Sequence, residues 1–238
     1  MPPIGSVDGK KPQIERMFDA IAPRYDLLNR VLSAGIDQKW RKKVIRLIQE
    51  VQPLRVLDVA TGTADLAIMG ARNGIPNTVG VDISEEMLSV GRKKIVAKKL
   101  TDQVVLQSGD AEQLPFSDAQ FDACMVAFGV RNFENLDEGL QQIFRILKPG
   151  GRLVVLEFSR PAVFPVRQLY SFYNAYILPT IGKLISGDQA AYTYLPESIA
   201  AFPEGPAFLN HMSKAGFTSV RDQRLTFGIA SIYVGERA

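Results

Sequence analysis

Three acidic residues lie in or just after short apolar segments along the first half of the chain. Asp58 lies in the first segment, Asp82 ends the second, and Asp110 closely follows the third. If these segments are neighbouring parallel strands, their carboxyl ends meet at one edge, where open α/β sheets bind ligands. Asp82 is then placed to accept hydrogen bonds from two ribose hydroxyls, and Asp110 to accept one from an adenine amino group.

The loop after the first segment distinguishes between two cofactors. A dinucleotide carries a pyrophosphate, which favours a loop with several glycines and a helix N-terminus facing the charge. This loop has one glycine, Gly62, and Asp65 lies close to where the next helix is expected to begin. A carboxylate there opposes a pyrophosphate, whereas Asp65 and Asp58 both suit a sulfonium and an α-amino group. Charge therefore favours S-adenosylmethionine over a nicotinamide cofactor.

Each acid also has an ordinary structural explanation. An acid such as Asp65 stabilises the first turn of a helix by interacting with the helix dipole. Asp58, flanked by apolar residues, suits a hydrogen-bonded acid of the core. Asp82 suits an N-cap, although Ser84 suits that position better. The functional interpretation rests on the recurrence of acids at three successive strand ends.

Apolar runs alternate with amphipathic segments through the middle of the chain. This alternation predicts βαβ units and an α/β fold, with a doubly wound, mostly parallel sheet that carries helices on both faces. Helical periodicity covers 13–50, and the chain is expected to end in an antiparallel hairpin. The predicted strands are 55–60, 78–82, 104–106, 121–128, 152–158, 218–224 and 229–235, and the predicted later helices are 65–73, 85–98, 135–147 and 206–215.

We expect a single domain over 13–238, after a disordered segment at 1–12. Residues 160–205 interrupt the alternation and are rich in Tyr, Phe and Pro, so we expect an α-helical lid over the sheet. The expected parts are N-terminal helices (13–53), a cofactor-binding core (54–159), the lid insertion (160–205), and a helix with the terminal hairpin (206–238).

Composition argues against several other functions. The net charge of the 238 residues is +3, which gives little reason to expect a nucleic-acid partner. The lone cysteine, Cys124, excludes an internal disulfide and suits a reducing cytoplasm. The single histidine, His211, has no serine nucleophile motif to serve, and no Cys/His cluster suits a metal. We find no signal peptide and no apolar stretch long enough to span a membrane.

Seven stretches of the chain carry a resemblance to a known family. They are Tyr25–Asn29, Ser33–Gly35, Trp40–Arg41, Phe128–Asn132, Arg145–Gly151, Leu156–Pro161 and Tyr192–Ile199. Together with the cofactor loop, they resemble the ubiquinone/menaquinone biosynthesis C-methyltransferase family, from about Met17 to Gly235. The first three stretches combined with Phe-Gly-x-Arg-Asn are the most specific. The resemblance implies a class I methyltransferase with a Rossmann-like sheet and an antiparallel last strand.

The resemblance also assigns cofactor residues. The family's loop threonine falls on Thr63, and its strand-three pair falls on Asp110 and Ala111. Ala127 replaces a serine that often contacts the cofactor, so only a backbone contact is expected there, and Thr61 stands where many members have glycine. The predicted cofactor residues are Asp58, Thr61, Gly62, Thr63, Asp65, Asp82, Ile83, Met87, Asp110, Ala111 and Ala127.

The implied acceptor is the reduced ring of a prenylated quinone, because a quinol is electron-rich whereas a quinone is electrophilic. Arg131 and Asn132 follow the fourth strand, beside the expected methyl group, and Tyr25 lies in the N-terminal helices. These three are the predicted catalytic residues. A guanidinium stays protonated in proteins, so Arg131 is expected to stabilise an oxyanion. The plainer alternatives are a surface arginine capping a loop carbonyl and a packed core tyrosine.

Overall likeness favours demethylmenaquinol over a benzoquinol of ubiquinone biosynthesis. Another small hydroxyarene is an alternative substrate. A non-catalytic scaffold subunit that binds the cofactor is an alternative function. Residues 160–203 are expected to form a lid and an isoprenoid groove, with apolar and aromatic side chains from Phe164, Leu169, Tyr170, Phe172, Tyr173, Tyr176, Ile177 and Leu178. The basic cluster around Trp40 suits either a contact with anionic lipid headgroups or a solvated helix face. We expect a cytoplasmic protein with at most peripheral membrane contact, and a homodimer stays open.

Overall fold

The computed structural model describes residues 9–173, 176 and 189–238. Its first helix begins at Lys10, inside the segment for which composition predicted disorder. Lys10 donates a hydrogen bond to the carbonyl oxygen of Phe133 at 2.7 Å, and Lys11 forms an ion pair with Asp110. These partners are distant in sequence, so local composition does not reveal them.

Seven strands of the described residues form one sheet. They are β1 (Arg55–Val59), β2 (Asn77–Asp82), β3 (Val104–Ser108), β4 (Phe121–Ala127), β5 (Leu147–Phe158), β6 (Thr218–Leu225) and β7 (Ala230–Glu236). Their order is β3-β2-β1-β4-β5-β7-β6. The first five are parallel, and β7 runs antiparallel to both of its neighbours. The predicted doubly wound sheet with an antiparallel last strand is confirmed.

Helices cover both faces of this sheet. They are α1 (Lys10–Ile21), α2 (Tyr25–Leu32), α3 (Ile36–Gln49), α4 (Asp65–Arg72), α5 (Glu85–Ala97), α6 (Leu136–Ile146), α7 (Val166–Phe172), α8 (Gln189–Ala201) and α9 (Pro206–Lys214). In the part of the chain that is described, none is long and apolar enough to cross a membrane.

The core divides into layers because successive side chains of a strand point to opposite faces. In β5, Leu153 and Val155 pack with residues of α6 and α9, whereas Val154 and Leu156 pack with residues of α3. The same alternation continues in β4, where Cys124 belongs to the first layer. Both faces of the central strands are therefore buried, as their nearly continuous apolar sequences require.

The start of β5 differs from the prediction. The helix predicted over 135–147 ends at Ile146, and the strand begins at the next residue instead of after Gly151. The end of the chain explains this, because the amide of Gly150 donates to the carbonyl oxygen of Arg237 at 2.7 Å, and the amide of Arg237 donates to the carbonyl oxygen of Gly151 at 2.8 Å. Gly150 has a φ of 78°, which favours glycine.

The insertion is described in part, as α7 and α8. Ile177 and Leu178, which were predicted to line the isoprenoid groove, lie outside the described residues. The terminal hairpin is present, but β7 lies inside the sheet between β5 and β6, so β6 is the edge strand.

Candidate active site

A cavity, here called the cofactor cavity, lies at the carboxyl ends of the first four strands. Its walls come from the loops after these strands and from α1 and α2. Of the predicted cofactor residues, Gly62, Asp82, Ile83, Met87, Asp110, Ala111 and Ala127 line it. The structure brings these residues together, and their contact with a cofactor stays a prediction.

Asp82 is held rigidly at the end of β2. The amide of Gly62 donates to its Oδ2 at 2.8 Å, and the amide of Ser84 donates to its Oδ1 at 3.0 Å. Burial raises the pKa of this carboxyl, although these amide hydrogen bonds oppose the shift. Ser84, not Asp82, caps α5, because its hydroxyl oxygen accepts from the amide of Met87. Asp82 keeps lone pairs on both oxygens for ligand hydroxyls.

The loop after β1 accommodates a threonine at position 61, where the family resemblance suggested that glycine is common. Ala60, Gly62 and Ala64 have positive φ angles, of 53°, 56° and 64°, whereas Thr61 does not. The left-handed region favours glycine, so Gly62 suits its position and Thr61 occupies one where a side chain is unstrained.

Four predicted cofactor residues do not line the cavity. Thr61 donates a hydrogen bond to buried Asp58 at 2.7 Å. Thr63 donates to Asp26, and Asp65 pairs with Lys94. These side chains fasten the loop to its surroundings, and any cofactor contact they make stays a prediction.

Asp65 does not provide an unpaired negative charge. Burial alone would raise its pKa, but the Lys94 ammonium outweighs burial and holds the pKa below its usual range. Arg30 adds a second cation, with 3.7 Å between its Nη2 and Oδ2 of Asp65. Lys94 and Arg30 already balance the charge of Asp65, so it is not free to offset a sulfonium as the sequence suggested. These partners lie on helices distant in sequence.

Lys11 was not among the predicted site residues, because it lies in the segment for which disorder was predicted. The Nζ atom of Lys11 lies 2.7 Å from Oδ2 of Asp110 and 2.8 Å from Oε2 of Glu112. Burial would lower the pKa of this ammonium, but the hydrogen bonds to both carboxylates outweigh it and raise the pKa. Lys11 thus ties α1 to the loop after β3. With Asp82, the acids lining the cavity still outnumber the cations.

A second, larger cavity of about 640 Å³ adjoins the first. We call it the acceptor cavity. Phe18, Tyr25 and Phe128 line both cavities, so the two share a wall. Most of the remaining lining is apolar or aromatic and comes from α1, α2, α3, α7 and α8. Four residues predicted to line the isoprenoid groove are part of it, together with Val166: Leu169, Tyr170, Phe172 and Tyr173.

The predicted catalytic residues lie at the boundary of the two cavities. Arg131 lines the acceptor cavity, Asn132 lines the cofactor cavity, and Tyr25 lines both. The side chain of Arg131 is only 7% exposed and so is not on the surface, although it does donate to the carbonyl oxygen of Phe128. Its Nη1 atom also donates to Oε1 of Glu157 at 2.9 Å.

Glu157 was not among the predicted residues. It is completely buried in β5, and burial raises its pKa although the Arg131 guanidinium opposes the shift. A signal was available in the sequence, because a carboxylate between Leu156 and Phe158 in an apolar strand needs a buried partner.

A helix of the insertion reaches the same boundary. The hydroxyl of Tyr194, in α8, donates to Oδ1 of Asn132 at 2.8 Å. Burial raises the pKa of Tyr194 to about 12, although the Arg131 guanidinium opposes the shift. The phenol therefore stays protonated and available as a donor at neutral pH.

Of the two interpretations of the basic cluster around Trp40, a lipid contact made by the Trp40 side chain is excluded by its burial. Trp40 is only 6% exposed, and its Nε1 donates to the hydroxyl of Thr226 at 2.9 Å. Arg41 is also buried, with its guanidinium 5.5 Å from the centre of the Phe128 ring. Trp40 packs in the core with Val44 and Ile48, so only the lysines of this segment and Arg46 reach solvent.

The other candidate residues have structural surroundings. His211, in α9, pairs with Asp137, and Cys124 is buried in the core, which raises the pKa of its thiol. Over the residues that the structure describes, no cluster of His, Cys, Asp and Glu side chains suits a metal ion.

Comparison with known proteins gives the family. A model of the ubiE/COQ5 methyltransferase family matches residues 6–237. This chain belongs to that family. It is 47% identical to a demethylmenaquinone methyltransferase of Bacteroides fragilis over 98% of this chain and 96% of the relative. The demethylmenaquinone methyltransferase of Thermus thermophilus is 49% identical over 93% of this chain and 100% of the relative. A ubiquinone/menaquinone biosynthesis C-methyltransferase of Geotalea daltonii is 44% identical over 96% and 97%.

Solved structures show the same fold. The cyclase SpnF aligns with a TM-score of 0.68 at 18% identity, over 94% of this chain and 96% of its own. A methyltransferase of Methanococcus maripaludis aligns with a TM-score of 0.65 at 18% identity, over 93% and 94%. The fold is that of class I methyltransferases. Because one neighbour is named a cyclase, the reaction must be argued from the site.

This family member is an S-adenosylmethionine-dependent C-methyltransferase, and the cofactor cavity fits that cofactor. Asp82 and Asp110 both line this cavity, and their predicted hydrogen bonds with ribose hydroxyls and with the adenine amino group stay predictions. The acidic lining suits a cation and opposes a pyrophosphate. Gly62 presents bare backbone to the cavity, which lets a ligand approach closely.

Replacement of Asp82 tests this assignment. In Asp82→Asn one amide hydrogen would face the amide of Gly62 or Ser84, and the charged acceptor would be lost. Hydrogen bonds to charged groups contribute about 1.5–3 kcal/mol, so we expect the Kd for S-adenosylmethionine to rise roughly 10- to 100-fold. Titration calorimetry measures it, with exposed Asp102→Asn as the control. A Kd within about twofold of the unmodified protein would contradict the assignment.

Replacement of Asp58 tests whether burial raises the pKa of its carboxyl group. Burial raises the pKa of Asp58 from 3.8 to about 7, although the Thr61 hydrogen bond opposes the shift. The folded protein then keeps a proton that the unfolded chain loses, so stability falls as pH rises through this window. Between about pH 5 and 8, the unfolding free energy should fall by roughly 2–3 kcal/mol more than in Asp58→Asn. Urea denaturation measures both, and parallel pH profiles would refute the shift.

Proposed function

We propose that this methyltransferase acts on a ring carbon of a prenylated quinol, and that the substrate is demethylmenaquinol. The acceptor cavity is the observation that supports the proposal. It is mostly apolar, has a volume of about 640 Å³ and adjoins the cofactor cavity at Tyr25. A substrate with an apolar ring, a prenyl tail and a few polar atoms matches this combination.

The chemistry requires an electron-rich acceptor carbon held in line with the methyl group. S-adenosylmethionine, when bound, supplies an electrophilic methyl group on a sulfur that keeps the bonding electron pair. Arg131 donates a hydrogen bond to one quinol oxygen and stabilises negative charge there, so the neighbouring ring carbon becomes nucleophilic. Phe18, Tyr25 and Phe128, which line both cavities, orient the ring at the boundary.

Proton balance follows from the same residues. The quinol oxygen loses its proton to water while Arg131 stabilises the oxyanion. After the new carbon–carbon bond forms, the ring carbon releases its proton to water and the ring becomes aromatic again. The oxygen then takes a proton back, so each turnover releases one proton. A guanidinium stays protonated in proteins, which assigns Arg131 a stabilising role and not that of a base.

A naphthoquinol is favoured over a benzoquinol. The relatives named demethylmenaquinone methyltransferase are 47% and 49% identical over nearly the whole chain. Their names describe those proteins, and the shared family and length support the same substrate here.

Peripheral contact with a membrane is the second part of the proposal. Most of the exposed large apolar side chains lie on elements that line the acceptor cavity or close to them in sequence: Leu27, Val31, Val163, Phe164, Leu169, Phe172, Tyr176 and Phe227. Phe164 and Phe227 are 77% and 74% exposed. Large apolar groups in solvent mark a surface that binds something, and exposed Arg167 and Arg224 suit anionic headgroups.

An anaerobic assay tests the substrate. Purified protein with methyl-labelled S-adenosylmethionine should label the ring carbon of a reduced demethylmenaquinol analogue. With the oxidised quinone, the initial rate should be at least about 100-fold lower, a barrier difference of about 2.7 kcal/mol.

Three further acceptors serve as controls in this assay. They are a benzoquinol with the same tail, a tail-free naphthoquinol and a simple hydroxyarene. Faster labelling of the benzoquinol would replace the naphthoquinol assignment. Absence of label with every quinol, while S-adenosylmethionine binds, would refute the enzymatic proposal and favour a scaffold subunit.

Vesicle flotation tests the membrane surface. The double variant Phe164→Ser/Phe227→Ser should bind vesicles with anionic lipid at least about 100-fold more weakly, because each of the two buried aromatic side chains contributes about 1.5–3 kcal/mol. Turnover of a tail-free quinol should be unchanged. The matched control is Val96→Ser/Val105→Ser, which removes exposed apolar groups elsewhere. Equal vesicle binding by both variants would contradict the proposal, and a change of sedimentation only in the first would indicate a homodimer interface.

A further inference from the structure

Glu157 is a buried acid to which the reaction described above assigns no role. None of its surface is exposed, and it lies in β5 with Leu156 and Phe158 on either side. Its Oε1 accepts from the amide of Phe158 at 2.8 Å and from Nη1 of Arg131 at 2.9 Å. Its Oε2 lies 3.4 Å from the amide nitrogen of Arg131. The carboxylate therefore holds both the backbone and the side chain of one residue.

The guanidinium of Arg131 is anchored through Nη1. Besides its bond to Glu157, Nη1 also donates to the carbonyl oxygen of Phe128, and the guanidinium lies 5.5 Å from the centre of the Phe158 ring. These contacts leave few orientations for the planar group. A buried arginine held in this way is preorganised before a ligand arrives.

The Nε atom of Arg131 is buried and has no hydrogen-bond partner among the described residues. The Nε atom of Arg152 also has none, but Arg152 lines neither of the two cavities. Buried donors without partners are rare because they cost free energy. Arg131 also lines the acceptor cavity, so a ligand oxygen there is the missing partner that the chemistry calls for.

We propose that Glu157 is a positioning residue for methyl transfer, which anchors Nη1 of Arg131 so that Nε is presented to the quinol oxygen. The inference rests on the proposed quinol substrate. Glu157 does not line either cavity, so it acts only through Arg131. Because stabilisation of a developing oxyanion depends on donors that are already aligned, loss of the anchor affects turnover more than binding.

A double-mutant cycle tests this role, with kcat and KM measured for the quinol and Kd for S-adenosylmethionine. Glu157→Gln and Arg131→Gln should each lower kcat about 10- to 100-fold. The double variant should be no slower than Arg131→Gln within about twofold, because Glu157 has no separate effect. The Kd for S-adenosylmethionine should stay within about twofold of the unmodified protein in all three.

Two further variants separate positioning from charge and from folding. Glu157→Asp keeps the charge but shortens the anchor, so it should also lower kcat. Glu236→Gln removes another acid paired to a buried arginine, Arg152, at the other end of β5, and should keep the unmodified kcat. Full activity of Glu157→Asp would show that the charge alone matters and would overturn positioning.

The remaining outcomes are distinguishable. Unchanged kcat in Glu157→Gln, or losses that multiply in the double variant, would overturn the inference while leaving the quinol assignment intact. No turnover of any quinol by the unmodified protein would overturn both. If Glu157→Gln melts at a much lower temperature, the melting temperature and the kcat of the double variant distinguish a positioning role from a purely structural one. Recovery of stability together with persistent loss of kcat supports positioning, and recovery of both shows a purely structural pair.

Discussion

The close approach of the loops after β1 and β4 is the constraint on which both cavities depend. These strands are neighbours, and the connections to β2 and β5 lead away from them in opposite directions. A Cβ atom at Gly129 would come within 2.6 Å of the Cβ of Ala60, so glycine is required where the loops meet. This contact sets the position of the following residues, Arg131 and Asn132, at the boundary between cofactor and acceptor.

The N-terminal helices complete the site through polar contacts with the strand-end loops, of which three illustrate the arrangement. Lys11 pairs with Asp110 after β3, the hydroxyl of Ser84 after β2 donates to Asp19, and Thr63 after β1 donates to Asp26. Each joins α1 or α2 to a different loop. The cover over the cofactor cavity is therefore specified by individual hydrogen bonds as well as by apolar packing, and the same two helices supply walls of the acceptor cavity.

The sequence predicted what depends on local pattern. Strand alternation located the sheet, and the position of Asp82 and Asp110 just past apolar runs placed both beside the cofactor cavity. Two errors, at Asp65 and Lys11, concern partners that are distant in the chain. Asp65 was interpreted as an unpaired charge because nothing near it in sequence indicates Lys94. Lys11 was assigned to a disordered segment because its carboxylate partners lie about a hundred positions away.

Two other errors had a readable signal. Trp40 shares a helical stripe with Val44 and Ile48, at a spacing of four residues, and this periodicity places it on the buried face. Its basic neighbours suggested a surface role that the periodicity contradicts. Glu157 was overlooked although an acid inside an apolar strand must find a cation or be neutralised. In both cases burial deduced from the period was the better guide to the side chain's role.

The two cavities differ in electrostatics, and this difference explains how one site handles two unlike ligands. The cofactor cavity has three acids, one at the end of β2 and two in the loop after β3, and one paired lysine, which suits a cationic ligand with several hydroxyls. The acceptor cavity is mostly apolar, and its arginines are already paired, Arg41 with Asp37 and Arg131 with Glu157. In such surroundings a hydrogen bond to an oxyanion is stronger than in water. Pairing keeps the acceptor cavity close to neutral. Under the proposed function, a prenylated ring would enter without displacing a solvated charge, and the guanidinium of Arg131 would stabilise the negative charge that develops on its oxygen.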